Sequence, residues 1–272
     1  MSGACPEDDA ALHAVLRRTG IQYDHYKLKC IQRRLAMRMR ARGAVTYDDY
    51  AQLLDSDRNE VRLLSDALTI NVSRFFRNWS VFQAISDVVI PELWRQQSGT
   101  IRVWSAGSAG GEEAYSLAAL FHRHAVNIRE QRLDRVRIVG TDVDDTSLRG
   151  AVRARYSEAA LAEAPQELRD RYFERRGGEV FVAPELRSLV RFERRDLILD
   201  PDPPESYDLI VCRNVIIYFE QRAQVALLER FHRCSRPGAF LVLGRVEAIL
   251  GTARRWFQPL VIRSRIYRRL PG

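Results

Sequence analysis

Up to about residue 68, apolar side chains recur at three- and four-residue intervals and no stretch alternates, which predicts helices near 9–19, 26–42, 47–54 and 60–68. In the second of these, Leu28, Ile31, Leu35 and Met39 fall on one face and predict its core side. The stretch LTINVSRFFRNWSVF then reads as an ordered loop leading into a helix to about residue 97, with Pro91 inside it or at a break. Beyond residue 100 the period changes. IRVWSA is a run of strand formers, Gly107, Gly110 and Gly111 open a turn, and Glu112 begins a helix to about residue 124. RVRIVGTDVD is a second strand ending in acids, with a helix N-cap expected at Asp145 or Thr146. SLRGAVRARY and LAEAPQELRDRYFERR read as helices, and GGEVFVAPELRSLVRFERRDL as two short strands with a third strand's character at residues 190–193, an inserted hairpin. YDLIVC, a helix near 220–234 and RPGAFLVLG continue the alternation, and WFQPLVIRSRIYRRL closes as two antiparallel strands. Helices followed by alternating strands and helices predict an α/β sheet behind a small helical domain.

Charge sharpens one element. The 272 residues carry a formal net charge of +8, which points to an acidic partner without choosing among nucleic acid, membrane surface and protein. Between Lys27 and Arg42 stand seven basic residues and no acid. On a helical wheel Lys29, Arg33 and Arg40 line the face away from the core, and Lys27, Arg34 and Arg38 sit on a flank, an anionic docking surface. The four cysteines form no CxxC pair, so reduced thiols in a cytosolic protein are expected. The N-terminus lacks a signal-like apolar core and no apolar run has membrane-spanning length. The histidines have no metal-ligand spacing, and no metal site is expected.

The candidate chemistry gathers at strand ends. Glycines allow a ligand close to backbone, and the following helix start offers unpaired N–H groups to a carboxylate or phosphate. By themselves these glycines also fit an ordinary strand-to-helix connection, since their spacing is not GxGxxG. Asp142, about 30 residues after the turn, is suited to accept hydrogen bonds from ribose hydroxyls. Arg213, Asn214 and Tyr218 follow the carboxyl end of the YDLIVC strand, where open α/β sheets bind ligands.

Taken together, YKLKCIQRRLAMRMRARG, LTINVSRFFR, RVWSAGSAGGEEAYSLA, GTDVD, YDLIVCRNVIIYF and RPGAFLVLGRVE resemble, in this order, the chemotaxis receptor methyltransferases, the CheR family of S-adenosylmethionine-dependent protein-glutamate O-methyltransferases. The resemblance spans about residues 12–269. It implies an all-helical N-terminal domain over 1–72 with a receptor-docking helix at 27–42. It also implies a methyltransferase domain over 73–272, a Rossmann-like seven-stranded class I sheet with one antiparallel strand and an antiparallel β-subdomain inserted at about 155–190. The implied reaction is methyl transfer from S-adenosylmethionine to receptor glutamates, giving methyl esters and S-adenosylhomocysteine. The implied cofactor contacts are Asn71, Ser73, Arg77, Gly107, Glu113, Asp142, Asp196, Leu197, Arg213 and Asn214. Arg77 and Tyr218 stand nearest the transferred methyl, Arg77 orienting either the acceptor or the cofactor carboxylate. Docking falls to Lys29, Arg33, Arg34, Arg38 and Arg40, against the glutamate-rich helical cytoplasmic domain of chemoreceptors. The short RRGGEV turn implies no C-terminal pentapeptide tether, and neither nucleic acid nor membrane insertion is expected. An acceptor such as RNA, or a non-catalytic S-adenosylmethionine sensor, are the competing readings. The chain departs from the family pattern at Ser73, Asp196, the GSAGGEE turn and Arg245, where threonine, asparagine, GxSTGEE and histidine are usual.

Overall fold

The computed structural model describes residues 6–20, 23–68, 73–96, 99–130, 133–203, 206–249 and 251–271. The chain forms two compact units, Met1–Asn71 with Tyr218–Glu220, and Val72–Ile217 with Gln221–Gly272.

The first unit packs α1 (Pro6–Arg17), α2 (Leu28–Arg42), α3 (Tyr47–Ser56) and α4 (Arg58–Leu68) around Leu12, Val15, Leu35, Tyr50 and Leu64. Ile31, Leu35 and Met39 form the buried face of α2, whereas Leu28, in its first turn, is 39% exposed. Gly43, at φ 70°, ends α2 in the left-handed conformation, and Thr46 with Asp49 makes a capping box for α3. The fully buried Glu60 carboxylate takes hydrogen bonds from Arg38 at 3.0 and 2.6 Å and from the Tyr50 hydroxyl at 2.6 Å. Arg38 therefore braces α2 against α4. Arg34 is likewise committed inward, donating to the Leu68 carbonyl at 2.8 Å and lying 5.3 Å from the Tyr218 ring centre. Lys29, Arg33 and Arg40 stay exposed, with Met37 among them at 61% exposure.

The second unit opens with α5 (Trp79–Ala84), a π-turn (Ile85–Val89) and α6 (Ile90–Gln96). Pro91 explains the π-turn: its ring would clash with the carbonyl four residues back, and one wider turn, with Ile90 N–H donating to the Ile85 carbonyl, avoids the clash. The strands and helices then run β1 (Ile101–Ala106), α7 (Glu112–Asn127), β2 (Val136–Asp142), α8 (Asp145–Arg153), β3 (Arg155–Ser157), α9 (Gln166–Tyr172), β4 (Phe173–Arg176), β5 (Glu179–Val182), α10 (Pro184–Arg187), β6 (Val190–Arg194), β7 (Tyr207–Cys212), α11 (Gln221–Arg233), β8 (Ser235–Leu243), β9 (Phe257–Val261) and β10 (Ile266–Arg269). Seven strands form one sheet in the order β6-β2-β1-β7-β8-β10-β9. Its first five strands are parallel, and β10 enters antiparallel between β8 and β9.

Four local expectations change: Arg155 and Tyr156, read as the end of a helix, lie in β3 because they pair with β5, the α8 N-cap falls before the expected Asp145 or Thr146, and two further segments differ. Phe173–Arg176, read as the end of a helix, is a strand, because it pairs with β5 in a small antiparallel sheet of order β3-β5-β4. Val190–Arg194, read with the inserted hairpin, joins the main sheet parallel to β2. The N-cap of α8 is Asp144, whose carboxylate accepts from Thr146 N–H and the Ser147 hydroxyl, both at 2.8 Å. Because β1 sits between β2 and β7, the chain turns in opposite directions from it, and the crevice at the carboxyl ends of these strands is where such sheets take ligands.

Candidate methyltransferase active site

The glycine turn after β1 is anchored on β2. Gly107 N–H and Ser108 N–H both donate to the Thr141 carbonyl at 2.8 Å, and Ala109 N–H donates to the Asp142 carboxylate at 2.9 Å. Gly107 stands at φ 80°, and a Cβ there would meet Val215 at 2.5 Å, so backbone conformation and the adjoining turn both demand glycine. Asp142 is buried at the tip of β2, and its other oxygen accepts from Asp144 N–H at 3.0 Å. Burial pushes its carboxyl above the usual range, against the pull of these N–H groups.

Of the two acids opening α7, Glu113 turns inward. It accepts from the Ser105 hydroxyl at 2.8 Å and pairs with Arg213 at 3.3 Å. Burial raises the Glu113 carboxyl and lowers Arg213, while the pairing opposes both shifts. Arg213 also donates to the Arg77 carbonyl at 2.6 Å and to the Asn78 side chain at 3.3 Å, tying the Arg77 segment to the end of β7. Glu112 instead lines a cleft of about 210 Å³ together with Ser73, Arg74, Tyr156 and Ala160. Burial pushes its carboxyl up to about 7, with the Ser73 hydroxyl pulling the other way.

The Phe75–Phe76 pair fixes the segment that carries Ser73 and Arg77. Phe75 meets Tyr156 and Phe173 edge-on, with ring centres 4.8 and 4.6 Å away. Phe76, at φ 55°, donates its N–H to the Ser116 hydroxyl of α7 at 2.9 Å. Both rings are fully buried. Asn71 lies outside the described residues. Beyond β6, Asp196 accepts from Ile198 and Leu199 N–H groups at 2.8 and 3.0 Å, and the Leu197 carbonyl accepts from Arg230 at 2.6 Å. These bonds hold the Asp196–Leu197 turn against α11.

One organising residue escaped the sequence reading. Buried Glu247 accepts from Asn214 N–H and Val215 N–H at 2.9 Å, Ile217 N–H at 3.3 Å and Gly244 N–H at 2.6 Å. A Cβ on Gly244 would lie 2.5 Å from that carboxylate and 2.9 Å from Asn214 N, which explains the glycine. The clamp holds Asn214 at φ 61° and seats Val215 against Gly107, so the turns after β1 and β7 are locked together. The pairing of Gly244 with Glu247 in GRVE was its only sequence signal. Tyr218 groups with the helical unit, where its carbonyl accepts from Lys27 N–H at 2.8 Å.

Among the described residues four buried side-chain polar atoms lack a hydrogen-bond partner. Three of them, Ser108 Oγ, Glu112 Oε2 and Arg213 Nε, cluster at these turns, as expected of groups that a polar ligand completes. No group of three or more His, Cys, Asp or Glu among the described residues could hold a metal ion.

The strand order with its single antiparallel strand, the glycine turn and the acid at the tip of β2 define a class I, S-adenosylmethionine-dependent methyltransferase. The chain belongs to the CheR methyltransferase family: the profile of its S-adenosylmethionine-binding domain matches residues 71–266 and that of its all-alpha domain residues 7–69. An uncharacterized 104.1 kDa protein of Rhodobacter capsulatus is 36% identical over 93% of this chain, which spans 26% of that protein's length. A chemotaxis protein methyltransferase of Listeria monocytogenes is 32% identical over 88% of both chains. Chemotaxis protein methyltransferase 1 of Pseudomonas aeruginosa is 31% identical over 85% of both.

Proposed function

We propose that the chain methylates glutamate side chains of chemoreceptor cytoplasmic domains, and that the cluster of unpartnered buried polar atoms at the Gly107 and Arg213 turns marks its cofactor site. What S-adenosylmethionine supplies when bound is a sulfonium methyl, which passes to a glutamate carboxylate oxygen to leave the methyl ester and S-adenosylhomocysteine. Asp142 holds the ribose, and Asp196 with Leu197 flanks the adenine. Gly107, Ser73, Glu113, Arg213 and Asn214 would enclose the remainder. An acceptor glutamate, with an ordinary pKa near 4.3, is already ionised at neutral pH, so the chain need not remove a proton. Its work is orientation and exclusion of water, with Arg77 aligning a carboxylate.

Acceptor capture is assigned to α2. Its exposed Lys29, Arg33 and Arg40 have no acid within the helix and suit a glutamate-rich helical partner, steering encounter more than setting affinity. The receptor-docking set narrows accordingly, since Arg34 and Arg38 serve the helical unit itself. The β4–β5 hairpin turns through Gly177 and Gly178 alone, at φ 58° and 80°. That tight turn supports docking without a C-terminal peptide tether. The RNA and sensor readings are not favoured by a family of chemotaxis methyltransferases.

The test is transfer of radiolabelled methyl from S-adenosylmethionine to a receptor cytoplasmic domain, followed by release of the label as methanol in mild base. Base-labile label, lost in Arg77→Ala, is the expected result. Asp142→Ala should weaken S-adenosylhomocysteine binding roughly tenfold to a hundredfold, the loss of hydrogen bonds to a charged group. A wild-type chain that binds the cofactor yet labels no receptor would overturn the assignment of substrate.

A further inference from the structure

We infer that the methyltransferase unit carries a second docking surface of its own for the acidic helical acceptor, built from Arg245, Val246, Ile262, Arg263 and Arg265. The inference rests on the acceptor proposed above. These residues lie on two connections that meet at one edge of the sheet. Arg245 and Val246 follow the carboxyl end of β8, and Ile262–Ser264 is a 3₁₀ turn linking β9 to β10. Three contacts join them: Arg265 Nε donates to the Arg245 carbonyl at 3.2 Å, Leu243 N–H donates to the Arg265 carbonyl at 3.0 Å, and Ile266 pairs with Val242.

Because β8 runs parallel to β7, β1 and β2, this edge is the one that bears Gly107, Asp142 and Arg213. The link to the site is direct. Arg245 and Val246 are the two residues between Gly244 and Glu247, whose carboxylate accepts from Asn214 and Val215.

Composition and exposure describe the occupant. Val246 is 74% and Ile262 70% exposed, two aliphatic side chains on adjoining turns open to a partner. Arg245 and Arg263 are exposed beside them. From residue 245 to the end the chain holds seven arginines and one acid, and that acid is the buried Glu247. A cationic surface with an aliphatic centre complements a helix that presents carboxylates around an apolar stripe. A single-stranded nucleic acid fits less well, since its bases stack on aromatic rings and the surface residues here are aliphatic.

The experiment titrates a glutamate-rich receptor cytoplasmic fragment against the full chain, against Arg245→Glu/Arg263→Glu and against Val246→Ser/Ile262→Ser, with S-adenosylhomocysteine binding measured in each. The charge variant should bind the fragment about tenfold more weakly or worse, about 1.4 kcal/mol. It should lose part of the salt dependence and keep its cofactor affinity. Unchanged fragment binding overturns the surface, as does a variant that loses affinity only for a single-stranded RNA probe. If the charge variant no longer binds S-adenosylhomocysteine, the serine variant decides by the same criterion. Failure of the wild-type chain to methylate the fragment counts instead against the proposed substrate, because fragment binding is read without turnover.

Discussion

At the scale of single residues, the two acids that begin α7 look equivalent in the sequence and do different work. Glu113 is spent on Ser105 and Arg213, whereas Glu112 keeps one oxygen unpartnered beside Ser73. Its folded-state value of about 7 stands above the ordinary 4.5. The folded state therefore holds a proton that the unfolded chain has released, and stability from this group is greatest below pH 4.5 and lost as pH rises through about 7. At that shift the loss is on the order of 3 kcal/mol. Glu112→Gln removes the titration, so denaturant unfolding should show the variant gaining on the wild type between pH 5 and pH 8. A stability difference flat across that range would contradict a raised Glu112. The motif made Glu113 a candidate, but side-chain direction was not legible: adjacent residues on a helix point about 100° apart, and the neighbouring elements decide which one meets the cleft.

At the scale of elements, the site is a pair of turns held in register. Glu247 gathers N–H groups from Asn214, Val215, Ile217 and Gly244, and Val215 then fills the space that Gly107 leaves. Glu247→Gln keeps the shape but turns an amide donor toward N–H donors. Unsatisfied buried groups of this kind cost about 1–3 kcal/mol. Thermal unfolding should fall by several degrees, and S-adenosylhomocysteine binding should weaken, while Glu247→Asp recovers only part of both. Cofactor affinity equal to wild type in Glu247→Gln would separate this clamp from the cofactor site. The same scale explains the misread helix: Phe173–Arg176 has helical neighbours, but β5 supplies backbone partners that local propensity cannot anticipate.

At the scale of the whole molecule, charge divides into bracing and display. Arg38 is the nearer of two arginines on the fully buried Glu60, with Arg42 at 3.6 Å, so Arg38→Ala removes its charge-assisted hydrogen bonds at a cost of about 1.5–3 kcal/mol while Arg42 and the Tyr50 hydroxyl remain. Arg33→Glu, on the exposed face, should change stability by less than about 0.5 kcal/mol and instead slow receptor methylation, most of all at low salt. Circular dichroism on both variants, set beside their initial methylation rates, distinguishes the two. Loss of the fold in Arg33→Glu would place that arginine among the braces.

The helices of the first unit, the strands β1, β2, β7 and β8, the glycine turn, the acid at the tip of β2 and most of the buried face of α2 were legible in the chain. Each depends on local periodicity or on what a single residue type allows a backbone to do. The partners of Arg34, Arg38, Glu113 and Asn214 were not. Arg38 finds Glu60 across 22 residues, Asn214 finds Glu247 across 33, Arg34 finds Leu68 across 34, and Arg213 finds Glu113 across 100. Such pairings exist only after the sheet and the helical unit close, because a buried charge is tolerable only where folding has already delivered its partner. Sequence thus determined the helices and the strands of the parallel sheet core, and tertiary packing decided which short segments pair as strands and which charged residues are spent inside or left exposed.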